Sequence, residues 1–370
     1  MPVQLPFVRR WFRELMALVA VAGVIGALVV ATPAHAVETC DGRPATIVGT
    51  SGNDTLTGTD GDDVIAGRGG SDTISALHGN DVICAGDGND TVYGLAFGTT
   101  VGPPAATDND RIFGEEGADE LVGEFHTAEI IGGPGLSPGT NDHIDGGPGN
   151  DIIAGSAVKS TITATTVGVA DAHMDTLIGG SGDDTIFQVK DLTYQATGPV
   201  TIQGGSNTAD GGAGNDTIYG DAQTLTIDVV GTATINGWRD SLTGGDGDDT
   251  IYGDVETLTI NGPGTALITG WQDTLAGGDG DDTIYGDVKT GQASITPVLT
   301  GTNDTATGGE GHDTIVAGPG SDTVNGNANN DSLTGNDGND NLTGDDGTDS
   351  ADGASGTDAC DAETETNCEI

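Results

Sequence analysis

The sequence predicts an all-β solenoid, a chain wound into stacked coils rather than folded around one compact core. Three observations predict it: a nine-residue period occupies both ends of the chain, 65 of its 370 residues are glycine, and aromatic residues make up only 4%. So little large apolar material cannot fill a conventional core of this size. Short repeats that stack on their neighbours need only one aliphatic residue each.

Taken in chain order, the first element is an export signal. Arg9, Arg10 and Arg13 lead into an apolar run from Leu15 to Ala31 and then Ala34-His35-Ala36, which predicts cleavage after residue 36. Arg9-Arg10 with Phe12 resembles a twin-arginine signal too weakly to decide the export route. The chain is therefore expected to be secreted, with no stable membrane insertion after cleavage. Removing Arg9, Arg10, Arg13 and Glu14 from 58 acidic and 10 basic residues leaves 57 and 7, a net charge of −50. That charge repels nucleic acid and anionic membrane and makes cations the natural partners.

After a short N-terminal cap at residues 37–48, the repeat begins. Residues 49–93 read GTSGNDTLT, GTDGDDVIA, GRGGSDTIS, ALHGNDVIC, AGDGNDTVY, and residues 308–361 supply six more units ending GDDGTDSAD, GASGTDACD. Position six is Asp in all eleven, and position eight is aliphatic except at Ala351 and Cys360. Glycines at positions one, two and four permit the left-handed or tightly folded backbone of a sharp turn. Position six sets a carboxylate beside the turn carbonyls, an all-oxygen surrounding suited to a hard cation. Positions seven to nine form a short strand whose alternation sends position eight to one face, so that Leu56, Ile65, Ile74, Ile83 and Val92 are expected to stack in continuous files.

Between these blocks, residues 94–307 lengthen the period. The glycine turns recur at Gly114, Gly146, Gly179, Gly211, Gly244, Gly277 and Gly308, at intervals of 31 to 33 residues. Each interval holds a whole nonapeptide, an insert of about fifteen residues and a degenerate half-unit such as Asp240-Ser241-Leu242-Thr243. The inserts alternate in polarity, predicting β-arms or widened strands stacked along one side, with Asn261-Gly262 as a hairpin turn. Residues 362–370 close the chain as a C-terminal cap.

On these units the chain resembles the RTX, or hemolysin-type calcium-binding, family, whose consensus is G-G-x-G-x-D-x-U-x with U a large aliphatic. The resemblance implies a parallel β-roll, two nonapeptides per coil, with Ca²⁺ between turns of adjacent coils on the same edge. The implied ligand pairs are Asp54 with Asp72, Asp63 with Asp81, Asp72 with Asp90, Asp313 with Asp331, Asp322 with Asp340, Asp331 with Asp349, and Asp340 with Asp358. In the centre Asp151, Asp184, Asp216, Asp249, Asp282 and Asp313 are implied to form one ladder, and Asp119 is a further candidate. About twelve ions, or about 24 positive charges, would offset roughly half of the −50, so the chain is expected to fold as calcium binds. Asn327, Ala328 and Asn329, Thr50 and Arg68 depart from the consensus, and weak or empty sites are expected there. The chain looks more like stand-alone secreted relatives than like toxins, proteases or lipases, because the repeats leave no room for such a domain.

The four cysteines allow three pairings. Cys40 with Cys84 and Cys360 with Cys368 would each staple a terminal segment to its neighbouring coil; free thiols or a metal site are the alternative. Phe187, Tyr219, Tyr252 and Tyr285 fall at position nine of successive long coils and are expected to stack outside the sheet, as are Trp238 and Trp271. Such ladders ordinarily stabilise a sheet. The alternative is a flat platform for polysaccharide or another cell-surface ligand, extended by Thr224, Thr226, Thr257 and Thr259. No H-E-x-x-H or G-x-S-x-G occurs and the histidines are scattered, so no catalytic site is expected. The expected role is structural or adhesive, outside the cell.

Overall fold

Parallel pairing is what the short strands achieve by stacking. The computed structural model describes residues 37–95, 108–131, 136–137, 141–164, 169–171, 174–196, 200–203, 206–230, 232–236, 239–261, 265–269, 272–293, 298–300 and 303–369. Every element among them is a β-strand. Two long sheets run through the described residues from Ile47 to Thr366, one of 16 strands from Thr55–Thr57 to Thr364–Thr366 and one of 13 strands from Ile47–Val48 to Ala359–Asp361. Each strand pairs in parallel with its equivalent one coil on, as Thr217, Ile218 and Tyr219 do with Thr250, Ile251 and Tyr252. This is a parallel β-roll.

Position eight carries the core. Ile74, Ile83, Val92, Ile112 and Leu121 through to Ile315, Val324, Leu333, Leu342 and Ala351 are buried in one continuous cluster between the sheets. A single coil contributes two of these side chains, too few to hold a coil alone; stacking joins them into files that exclude water along the whole axis. Ile47 and Leu56 at one end, and Cys360 and Ala362 at the other, are only partly buried.

The central inserts form arms. Strands Ile152–Ala164, Thr185–Ala196 and Thr217–Val229 continue the 16-stranded sheet outward beyond the roll. The chain returns through a separate six-stranded sheet that includes Val200–Gln203, Thr232–Asn236 and Thr265–Thr269. Leu192, Leu225, Ile227, Leu258 and Ile260 are buried along the outward strands, giving the arms an apolar file of their own. The expected hairpin at Asn261-Gly262 takes another form. Val255–Asn261 and Thr265–Thr269 pair with neighbouring coils in different sheets and not with each other, and Gly262 lies outside the described residues.

Disulfides tie both ends. Cys40 bonds to Cys84 and Cys360 to Cys368, with Cα separations of 5.6 and 5.9 Å. The N-terminal segment is further held by Arg68–Glu38 (3.0 Å) and Arg111–Asp41 (3.3 Å) ion pairs.

Candidate metal centre

Two edges join the sheets, and an aspartate ladder climbs each. At the glycine edge the backbone N–H of Asp54 donates to Oδ1 of Asp72 (2.7 Å), that of Asp72 to Asp90 (2.6 Å), and the relation repeats through Asp119, Asp151, Asp184, Asp216, Asp249, Asp282, Asp313, Asp331 and Asp349. The opposite edge links Asp63, Asp81, Asp110, Asp142, Asp175, Asn207, Asp240, Asp273, Asp304, Asp322, Asp340 and Asp358 in the same way. Every neighbour pair expected from the sequence is brought together.

The second oxygen of these carboxylates decides their chemistry. Oδ2 of Asp72, Asp81, Asp90, Asp119, Asp151, Asp184, Asp216, Asp249, Asp282, Asp313, Asp322, Asp331, Asp340, Asp349 and Asp358 is buried with no hydrogen-bond donor. A buried carboxylate oxygen without a donor carries a large desolvation penalty, which a bound cation removes. Burial, with neighbouring carboxylates adding to it, pushes Asp119, Asp184, Asp249 and Asp282 up to about 7. The backbone N–H each accepts works in the opposite direction and is outweighed.

Glycine at position one serves this carboxylate, not a left-handed backbone. Oδ2 of Asp72 lies 2.6 Å from where Gly67 would carry a Cβ, and the Ala85 carbonyl of the next coil presses on the same point. The left-handed positions are two and four, as at Gly180 (φ 112°) and Gly182 (φ 131°). Arg68 (φ 84°), Asn327 (φ 73°) and Asn329 (φ 79°) take the same left-handed backbone despite their side chains. Asp72 and Asp331 in those turns keep an Oδ2 without a donor, so these departures leave the turn geometry unchanged. Thr50 and Thr59 behave differently. Their backbone N–H groups donate to Oδ2 of Asp54 (2.5 Å) and Asp63 (2.7 Å), and their hydroxyls donate to the same atoms at 2.9 Å. In the first coil the protein itself satisfies the oxygen.

Sequence reasoning missed Asp110, Asp142, Asp175, Asp240, Asp273 and Asp304, which carry the second ladder through the long coils. Their signal was the x-Asp-x-aliphatic half-unit, as in Asn109-Asp110-Arg111-Ile112 and Gln272-Asp273-Thr274-Leu275. The glycine each lies over, such as Gly253 for Asp273, stands about twenty residues earlier, across the arm. Also missed were Glu363 and Glu369, which accept the N–H groups of Asp349 (2.8 Å) and Asp358 (2.7 Å) and end the ladders at the C-terminus.

Among the described residues no three Asp, Glu, His or Cys side chains converge as a metal cage, so an ion at either edge must draw on backbone carbonyls as well. That donor set, one carboxylate oxygen per turn plus backbone carbonyls, fits calcium. A family model, the RTX calcium-binding nonapeptide repeat, matches residues 45–74, 68–98, 105–125, 139–158, 170–187, 202–224, 239–255, 272–288, 300–333 and 325–360. The chain belongs to the RTX calcium-binding repeat family. Its RTX repeats bind Ca²⁺, many ions across the chain. A comparison with curated proteins finds no match.

The aromatic file stacks as expected but is not exposed. The Tyr219 and Tyr252 rings are 4.8 Å apart and nearly parallel, and Tyr285 follows at 5.2 Å. Yet Tyr219 and Tyr252 are only 6% and 4% exposed. The arm bends over them: Gln223 contacts the Tyr219 hydroxyl, and Lys289 bonds the Tyr252 hydroxyl (2.9 Å) and lies over the Tyr252 and Tyr285 rings. Trp238 and Trp271 lie outside the described residues.

Proposed function

We propose that this RTX chain is a secreted structural module whose Asp ladders are the calcium ligands and whose rigidity depends on the ions. The observation that carries the reading is the buried Oδ2 left without a donor in coil after coil, while Oδ1 is held by the neighbouring coil. Each ion would bridge two coils and relieve two carboxylates at once, so binding and stacking become one event. The apolar run and Ala34-His35-Ala36 support export. Among the described residues no helix is long and apolar enough to cross a membrane. An adhesive role agrees with a long, highly anionic surface cross-linked by calcium, and the periodic placement of the carboxylates favours cation binding over catalysis. Polysaccharide binding through Tyr219, Tyr252 and Tyr285 draws no support from a file in which the first two rings are buried and the third is partly buried.

Circular dichroism of the purified chain during a calcium titration, with magnesium as control, tests the proposal. Strand signal is expected to rise with calcium and not with magnesium. A chain with full strand signal in chelator would refute it.

A further inference from the structure

Where the arms leave the roll, the glycine turn is opened. At the glycine edge the residues after position one turn left-handed, as at Gly245 (φ 120°) and Gly278 (φ 127°). At the arm edge neither Gly220, Gly253 and Gly286 nor the residues following them do so, and the chain runs on into the arm. The left-handed turn is thus absent beside the second ladder in these coils. Immediately after each glycine stand Asp221, Asp254 and Asp287.

These side chains are turned inward. Asp221 and Asp254 are 3% and 1% exposed, and both oxygens of Asp254 are buried without a donor. Asp254 is near enough to Asp273, Asp287, Asp221 and Asp304 for each to repel its charge, and the Asp287 carboxyl of the next coil is within hydrogen-bonding reach of it. The ladder carboxylates come to the same places: Oδ2 of Asp240, Asp273 and Asp304 lies 2.7, 2.9 and 2.9 Å from where Gly220, Gly253 and Gly286 would carry a Cβ. All three of those oxygens also lack a donor. Next to the Asp273 oxygen, the Gly286 carbonyl presses on Gly253.

The coil immediately before them shows the same edge without the excess charge. There Gln188 takes the place of the glycine and donates from Nε2 to Oδ2 of Asp175 (2.9 Å). Asn207 replaces the ladder aspartate and donates from Nδ2 to the Gly220 carbonyl (3.3 Å). Amides complete that stretch with protein donors, whereas each of the next three coils adds a second carboxylate directly after its arm-edge glycine.

We propose that the arm edge holds a second class of calcium site, each built on a carboxylate pair (Asp221 with Asp240, Asp254 with Asp273, Asp287 with Asp304) completed by backbone carbonyls, and that Gln188 and Asn207 mark the ion-free stretch where this class ends. These sites differ from the glycine-turn sites in drawing a second carboxylate from the residue that follows the arm-edge glycine. The inference rests on the chain binding calcium at its ladders, and the experiment separates the two.

Calcium bound per full-length chain is measured by equilibrium dialysis and atomic emission for the wild type, for the triple variant Asp221→Asn, Asp254→Asn, Asp287→Asn, and for Asp249→Asn at the glycine edge. The triple variant is expected to bind about three ions fewer than wild type. A wild-type count in the triple variant, with ions lost in Asp249→Asn, overturns this inference alone and leaves the ladder reading intact. No calcium bound by the wild type overturns both. Should the triple variant lose its strand signal in calcium, anomalous density in wild-type crystals decides: an ion between Asp254 and Asp273 supports the proposal, and its absence there refutes it.

Discussion

In a chelator, lowering the pH from about 8 to about 4 is expected to build sheet structure in this protein, the reverse of ordinary acid denaturation. Asp119, Asp184, Asp249 and Asp282 of one ladder are each raised by burial to about 7 in the folded chain. Because the folded-state value lies above the unfolded one, each contribution to stability is fully present below pH about 4 and is lost as the pH rises to about 7. A rise of about three units at about 1.4 kcal/mol per unit is about 4 kcal/mol per aspartate; halved for residual hydration it is about 2, or about 8 for the four. That is as large as the roughly 5–15 kcal/mol of net stability that a domain commonly has. Above pH 7 without calcium, ionising the ladders therefore suffices to unfold the roll. With only 10 Lys and Arg in the chain, acidification mostly removes charge rather than creating it. The assay is far-ultraviolet circular dichroism against pH in chelator, repeated in millimolar calcium. Strand signal that falls on acidification in chelator, or that does not change between pH 8 and 4, refutes the reasoning.

Replacing Cys40 and Cys84 by serine opens a loop of 44 residues and is expected to lower stability by about 4 kcal/mol in the chain-entropy account, read from urea midpoints in saturating calcium. Ile218→Ala leaves a cavity in the fully buried file between the sheets and is expected to cost about 2–5 kcal/mol in the same measurement. Asp72→Asn keeps the acceptor for the Asp54 N–H but weakens an ion ligand, so the calcium midpoint of folding should move upward. Asp54→Asn, whose Oδ2 is already satisfied by Thr50, should move it far less, and equal shifts would contradict the distinction drawn between the two turns.

Asp at position six and an aliphatic residue at position eight were legible in the sequence because a strand and a tight turn are local structures that each nonapeptide specifies within nine residues. With the resemblance to the RTX family they implied the β-roll and the neighbouring Asp pairs of the glycine edge, while the pairing of Cys40 with Cys84 was one of three open connectivities, favoured because it ties a terminal segment to the adjacent coil. The arms were legible as inserts with alternating polarity. The burial of Tyr219 and Tyr252 was not, since it depends on the bend by which the arm brings Gln223 and Lys289 onto the rings.

What only the tertiary structure decided concerns residues far apart along the chain. Asp273 meets Gly253 and Asp254 across an arm of nearly twenty residues, and Glu363 and Glu369 replace aspartates in a segment without the repeat. Whether Thr50 or Arg68 leaves a carboxylate open likewise turns on a backbone dihedral that the residue type does not dictate. The sequence by itself determined the coil, because the coil is periodic. Stacking decided which carboxylates share a buried space without donors, because that space exists only once neighbouring coils close over it.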